Sequence, residues 1–225
     1  MNGNYSVITN FGCHWRCPYC IVRNAHMDIP KTDMDLTFDT IKKLVEDGKI
    51  KSLSFSGGGD PLFDMNEERF NWYKSIIRFA RRNRVKTSIH TSYTSTALLS
   101  KKGNGGNFLD FDLVSYHMIN SRDVDLDHTP ILKLGDETKR AVFVVQKDFT
   151  PTKIQEIVKL VKRNPYIDQL SFRQLINPDY SIEHTCEEYL RDGHRKDWYY
   201  IEQGDYNTYI VNDKISTCFE DFKEG

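Results

Sequence analysis

Cys13-His14-Trp15-Arg16-Cys17-Pro18-Tyr19-Cys20 places three of the chain's five cysteines within eight positions, in a C-x3-C-x2-C run. Thiols gathered so tightly in one short stretch call for metal or redox chemistry. Three thiolates are one short of a closed zinc site or of an iron–sulfur cluster held wholly by protein, so one coordination position stays open. The odd cysteine total, clustered at one end of the chain, suits a reducing compartment better than a disulfide framework.

Reading outward, residues 5–10 form a short strand, and Phe11-Gly12 turns it into the cysteine loop. Residues 23–35 are polar and without a period. A helix is expected from Thr37 as N-cap, with Leu36 and Ile41 as a hydrophobic staple, Ile41, Leu44 and Val45 as its buried stripe and Gly48 as its stop. Residues 51–56 alternate as a second strand and run into Gly57-Gly58-Gly59-Asp60-Pro61, where the backbone must turn tightly or admit a close neighbour. Residues 66–84 read as a long helix, acidic at its start and arginine-rich at its end, which matches the helix macrodipole. Further strands are predicted at 86–93, 113–118, 140–146 and 169–176. Thr150-Pro151 opens another helix, with Ile154, Ile157, Val158 and Val161 as its apolar face. At most a short helix is expected within 96–107, before the glycine-rich loop 103–106, and Ile131 and Leu134 suit another.

Six strands alternating with helical segments indicate consecutive right-handed βαβ units and an α/β fold. The expected architecture is a partial (β/α)6 TIM-like barrel, with an open doubly wound sheet as the alternative. In either, ligand-binding loops lie at the carboxyl ends of the strands, where both the cysteine run and the glycine cluster fall. The tail has a different texture. It predicts a helix over 181–191 capped by Ser181, then antiparallel strands at 198–201 and 206–217 turning around Gly204-Asp205, with a second turn near Asn212-Asp213. The expected division is a barrel over 1–176 and a C-terminal helix and β-hairpin over 177–225, packed on the same domain.

Composition limits the function classes. Apolar residues make up 39% and charged residues 28% of 225, with a formal net charge of -1. Those values describe a globular protein and argue against a surface built for nucleic acid. No signal-like start exists, and no apolar run approaches the ~20 residues needed to span a bilayer, so a cytoplasmic protein without a membrane partner is expected. The Asp123, Asp125, Asp127 series lacks the later glycine and glutamate of a calcium loop and reads as solvated. The arginines of 78–86 read as a solvated helix end, and His90, His128, His184 and His194 as isolated structural or exposed residues.

The cysteine run, with Tyr19 just before its last cysteine, and Gly58-Gly59-Asp60 after the second strand together resemble the two motifs of the radical S-adenosylmethionine (SAM) superfamily. The resemblance implies a [4Fe-4S] cluster with Cys13, Cys17 and Cys20 on three irons and SAM chelating the fourth. It implies Tyr19 near adenine and the Gly58-Gly59-Asp60 backbone at the methionyl amine, with Asp standing where Glu is commoner. An external donor such as flavodoxin or ferredoxin then supplies an electron, SAM splits into methionine and a 5′-deoxyadenosyl radical, and the radical abstracts hydrogen from substrate. Ser92, Ser115, His117, Arg173 and Gln174, at or near strand ends, are candidates for SAM or substrate contacts, Arg173 through a bidentate guanidinium.

Residues 209–218 look like the hairpin that opens the auxiliary-cluster extension of some family members. Cys186 and Cys218 are too few for a second four-thiolate cluster. Both read as buried thiols, with Cys218 kept as a candidate catalytic hydrogen donor. The expected activity is radical chemistry of the oxidoreductase or lyase kind on a small-molecule or nucleotide-derived substrate. The alternatives are an activating enzyme that installs a glycyl radical in a partner protein, and a non-catalytic metal-binding or sensing protein, for instance zinc with His14 or His26 as fourth ligand.

Overall fold

The computed structural model describes residues 3–99, 110–125, 137–205 and 208–222. The glycine-rich loop 103–106, Asp127, His128, Ile131 and Leu134 lie outside the described residues. Nine strands form one sheet in the order β7-β6-β5-β4-β3-β2-β1-β8-β9. Its centre is β1 (Asn4–Val7), β2 (Ser52–Phe55), β3 (Lys86–Thr91), β4 (Leu113–Met118), β5 (Thr138–Val144) and β6 (Gln169–Arg173), each parallel to the next in chain order. A parallel sheet laid down in unbroken order sends every right-handed crossover to the same face. One face is therefore covered by helices and the other is left as the concave interior of a partial barrel.

The crossover helices are placed by their caps and held by their stripes. Asp33 accepts from Leu36 N–H at 2.9 Å and opens α2 (Met34–Glu46); Thr37, expected as the cap, is buried inside the first turn, its hydroxyl donating to the Asp33 carbonyl. Gly48, at φ +66°, ends that helix. Asn66 caps α3 (Glu67–Arg82), and Thr150 with Pro151 caps α5 (Pro151–Arg163) as predicted. Ile41, Leu44, Ile76 and Ile154 share one core with Leu53, Phe55, Tyr116, Phe143 and Phe172. Each fully buried aliphatic side chain contributes about 1.5–3 kcal/mol and each cap about 1 kcal/mol, so the stripes carry most of the attachment.

The ends of the chain depart from the sequence reading. Residues 199–201 form β7 (Tyr199–Ile201), a seventh strand parallel to β6 and not half of a hairpin. The chain then passes to the opposite sheet edge, where β8 (Thr208–Val211) runs parallel to β1 and turns at Asn212 (φ +56°) into antiparallel β9 (Lys214–Ser216). The expected turn near Asn212-Asp213 is therefore real, whereas the one at Gly204-Asp205 does not pair strands. Ser181 caps no helix; α6 is shorter (Glu187–Asp192) and begins after Cys186, itself left-handed at φ +55°. Asp123 is buried, not solvated, and its carboxylate accepts from the Ile119 and Asn120 amides.

Candidate functional site

The cysteine loop leaves the carboxyl end of β1 and closes through a one-turn helix, α1 (Ile21–Asn24), that the polar sequence did not announce. Cys20 N–H donates to the Cys17 carbonyl, while the side chains of Arg23 and Asn24 donate to the carbonyls of Cys17 and Pro18 at 2.7 and 2.8 Å. The loop is thus braced from its own carboxyl-terminal side.

The glycine loop after β2 supplies the other wall. Gly57 and Gly58 sit at φ +97° and +94°, a region other residues rarely occupy. At Gly59 the constraint is contact: a Cβ there would lie 2.5 Å from the Asn10 carbonyl oxygen and 2.7 Å from that of Gly12. Asp60 N–H donates to the Gly12 carbonyl at 2.8 Å, and Asn10 Nδ2 donates to the Asp60 carbonyl at 3.2 Å. The two loops are therefore packed backbone on backbone. Gly59→Ala should lower the unfolding free energy by about 2–3 kcal/mol, because neither carbonyl can swing aside like a side-chain tip. A urea midpoint equal to that of the parent would refute this close approach.

Asp60 is buried and its carboxylate faces the protein. Oδ1 accepts from Leu62 N–H (3.0 Å) and the Thr91 hydroxyl (2.7 Å); Oδ2 accepts from Ser92 N–H (3.0 Å), the Ser92 hydroxyl (2.9 Å) and the Ser95 hydroxyl (2.6 Å). Five donors on two oxygens exhaust a carboxylate's acceptor positions. Ser92, a candidate ligand contact, is thereby committed to this network. It also caps α4 (Tyr93–Leu99), accepting from Ser95 N–H. From α4 the bracing reaches back to the cysteine loop, with Ser95 Oγ 2.9 Å from His14 Nδ1 and Trp15 Nε1–H donating to Thr94 Oγ1 at 2.8 Å.

Desolvation is the largest effect on the Cys13 and Cys17 thiols and raises both, Cys13 to about 11, and the neighbouring sulfurs repel each thiolate further. Three thiolates in this loop therefore require a compensating cationic group. Among the described residues, no three His, Cys, Asp or Glu side chains converge on a position for a single ion. A [4Fe-4S] cube would supply such a charge, with each thiolate on a different iron. Asn10 Oδ1, beside the Asp60 carbonyl, is buried without a partner and suits a donor such as an ammonium group. Tyr19 bonds to Cys17, and burial pushes its phenol upward. It also lines a cavity of about 370 Å³ between the cysteine loop and the ends of β5 and β6, with Pro18, Gln146, Lys147, Leu175 and Ile176.

The remaining candidates lie elsewhere. Ser115 and His117 are on the interior face of β4, and Arg173 is on that of β6. Gln174 ties Glu187 at the start of α6 to the Gln203 amide. Cys186 donates its S–H to the Phe149 carbonyl, and Cys218, just past β9, donates its N–H to Ser216 Oγ. The sequence gives no role to Asn10, Arg23, Asn24 and Ser95, and it presents as isolated His90, which meets His117 across β3 and β4. Only His90 carried a signal, since it falls on the same strand face as Ser88.

The sequence model of a family described as a 4Fe-4S single cluster domain matches residues 2–146. The chain belongs to that family. No curated protein sequence matches it. Among solved structures, Streptococcus suis SuiB bound to precursor peptide SuiA aligns with a TM-score of 0.59 at 14% identity, over 96% of this chain and 59% of SuiB. The same protein bound to S-adenosylmethionine gives 0.58 at 14% identity, over 96% and 60%. Native anSMEcpe with bound AdoMet gives 0.56 at 13% identity, over 96% and 74%. This chain spans about three-fifths of the length of SuiB, and at these identities the likeness is one of fold. Among the described residues, no helix is long and apolar enough to cross a membrane.

Proposed function

We propose that this chain is a radical SAM enzyme in which Cys13, Cys17 and Cys20 hold one [4Fe-4S] cluster and SAM binds across the cysteine and glycine loops. The observation that carries this reading is the mutual locking of the two loops at Gly59 and Asp60, which fixes three thiolates beside a buried, unpartnered acceptor, Asn10 Oδ1. A cluster and SAM bound there supply reductive cleavage to methionine and a 5′-deoxyadenosyl fragment that takes hydrogen from substrate. The chain's own contribution is placement. α1 and α4 brace the loop from both sides, and Tyr19 bounds the cavity at its mouth.

A small-molecule or nucleotide-derived substrate is favoured because the mouth cavity, about 370 Å³, has the size of a small-ligand pocket. The fold likeness to SuiB, whose structure holds a precursor peptide, makes a peptide the second reading. The thiol-rich cluster site fits a reducing compartment and an external electron donor such as flavodoxin or ferredoxin. Residues 1–176 and 177–225 act as one unit in this proposal, since β8 from the tail pairs with β1 beside the cysteine loop.

Anaerobic reconstitution should give one cube-type cluster per chain, and reduction with SAM should release 5′-deoxyadenosine. Bound zinc with no SAM cleavage would overturn the enzyme. Deuterium carried from candidate metabolites, nucleotides or peptides into 5′-deoxyadenosine identifies the class of substrate.

A further inference from the structure

The concave face of the sheet is polar where a packed barrel core would be apolar. Ser6, Ser54 and Ser88 occupy one register row across β1, β2 and β3, and His90, Ser115, Arg140 and Gln169 form the next across β3 to β6. The neighbouring residues on the other face, including Ile89, Val114, Tyr116, Ala141 and Leu170, belong to the core beneath the helices.

Three features of this second row point to a ligand. Ser115 is 0% exposed, yet its hydroxyl has no partner, and Ser54 in the first row is orphaned in the same way. His90 Nδ1 lies 3.2 Å from His117 Nε2. Burial and the charge of Arg173 hold His117 near a pKa of about 3 and His90 well below its ordinary value, so the pair is neutral. In a neutral pair one ring donates to the other. Whichever does so, one N–H donor remains for the lumen. Arg140 gives its Nε–H to Gln169 Oε1 at 2.9 Å and stacks over Tyr199 at 4.6 Å. An Nη2–H also goes to Gln169 Oε1, and among the described residues no carboxylate pairs with the guanidinium. A guanidinium, a hydroxyl and an imidazole N–H therefore share one face of the sheet.

We propose that the barrel lumen binds an oxyanion of the substrate, a carboxylate or phosphate, held by Arg140 with Ser115 and the His90–His117 pair. This names a substrate class for the enzyme proposed above and rests on that reading. The group sits on mid-strand residues below the cysteine loop, so a substrate anchored there extends its far end towards the mouth.

The test is equilibrium dialysis of the reconstituted protein, with and without SAM, against labelled inorganic phosphate and labelled succinate. One saturable site per chain is expected for at least one probe, and the tighter of the two identifies phosphoryl or carboxyl substrates. Arg140→Gln should weaken it about tenfold or more and Arg140→Lys by less, because the lysine keeps the charge and loses the fork. Ser115→Ala should weaken it about threefold to tenfold while raising the unfolding midpoint, since it deletes an orphaned buried hydroxyl. That opposite movement separates a ligand role from a structural one and decides the matter if Arg140→Gln does not fold. Unchanged affinity in both variants, displacement of the anion by SAM, or the absence of saturable binding would overturn the proposal. A failure of SAM cleavage with the anion site intact would instead count against the enzyme reading alone.

Discussion

Asp60→Ala should lower the unfolding free energy by about 3–5 kcal/mol and leave a protein that does not retain its cluster. The stability loss follows from the donors left behind. The Leu62 and Ser92 amides and the Thr91, Ser92 and Ser95 hydroxyls all donate to this carboxylate, which is 3% exposed. A buried donor stripped of its acceptor costs about 1–3 kcal/mol, and the hydroxyls can re-aim in part, which keeps the sum below five full penalties. Cluster loss follows from the connections beyond Asp60. Its Oδ2 holds Ser95, Ser95 meets His14, and His14 lies next to Cys13. Ser95→Ala serves as the graded control, at about 1 kcal/mol, because the carboxylate keeps its other donors. Urea unfolding monitored by circular dichroism, with iron content measured after reconstitution, reads both effects. An Asp60→Ala protein within 1 kcal/mol of the parent would show that the network does not hold the site.

The motif residues were legible because each motif is local: Cys13 to Cys20 lie in one loop and Gly58 to Asp60 in another, and each follows a strand whose alternation is plain. β4 was read at its observed bounds, Leu113–Met118, and α5 was read from Thr150-Pro151. What escaped was non-local or balanced between equals. Asp33 and Thr37 are both good caps, and the backbone chose the earlier because Thr37 is needed in the core. β7 has three residues, too few to show a period, and its parallel pairing to β6 is a choice of sheet edge that local pattern does not encode. The function of Asp60 was equally hidden, since its donors at Thr91, Ser92 and Ser95 come from a strand end and helix more than thirty positions later. His90 was taken as isolated, although the register of β3 on β4 brings it to His117.

That histidine pair gives the protein a pronounced sensitivity to mild acid. Both imidazoles are neutral in the folded state, His117 held at about 3 and His90 well below its usual value by burial and by the nearby arginines. In the unfolded chain each takes a proton near pH 6.5. Below that pH the unfolded state binds more protons than the folded one, so stability is full above about 6.5 and falls as the pH drops. On the acid side each proton excluded from the folded state lowers stability, so the two imidazoles act in the same direction. Urea unfolding between pH 7.5 and 4.5 should show a decline steeper than ~1 kcal/mol per pH unit at the acid end. His117→Asn should start lower at pH 7.5 by about 1 kcal/mol, for the lost hydrogen bond, and show a shallower slope. The single and double variants then separate the pair from other titrating groups, because the double variant should be nearly flat above the carboxylate range. A parent protein whose stability is level from pH 7 to 5 would mean that the imidazoles protonate freely in the fold.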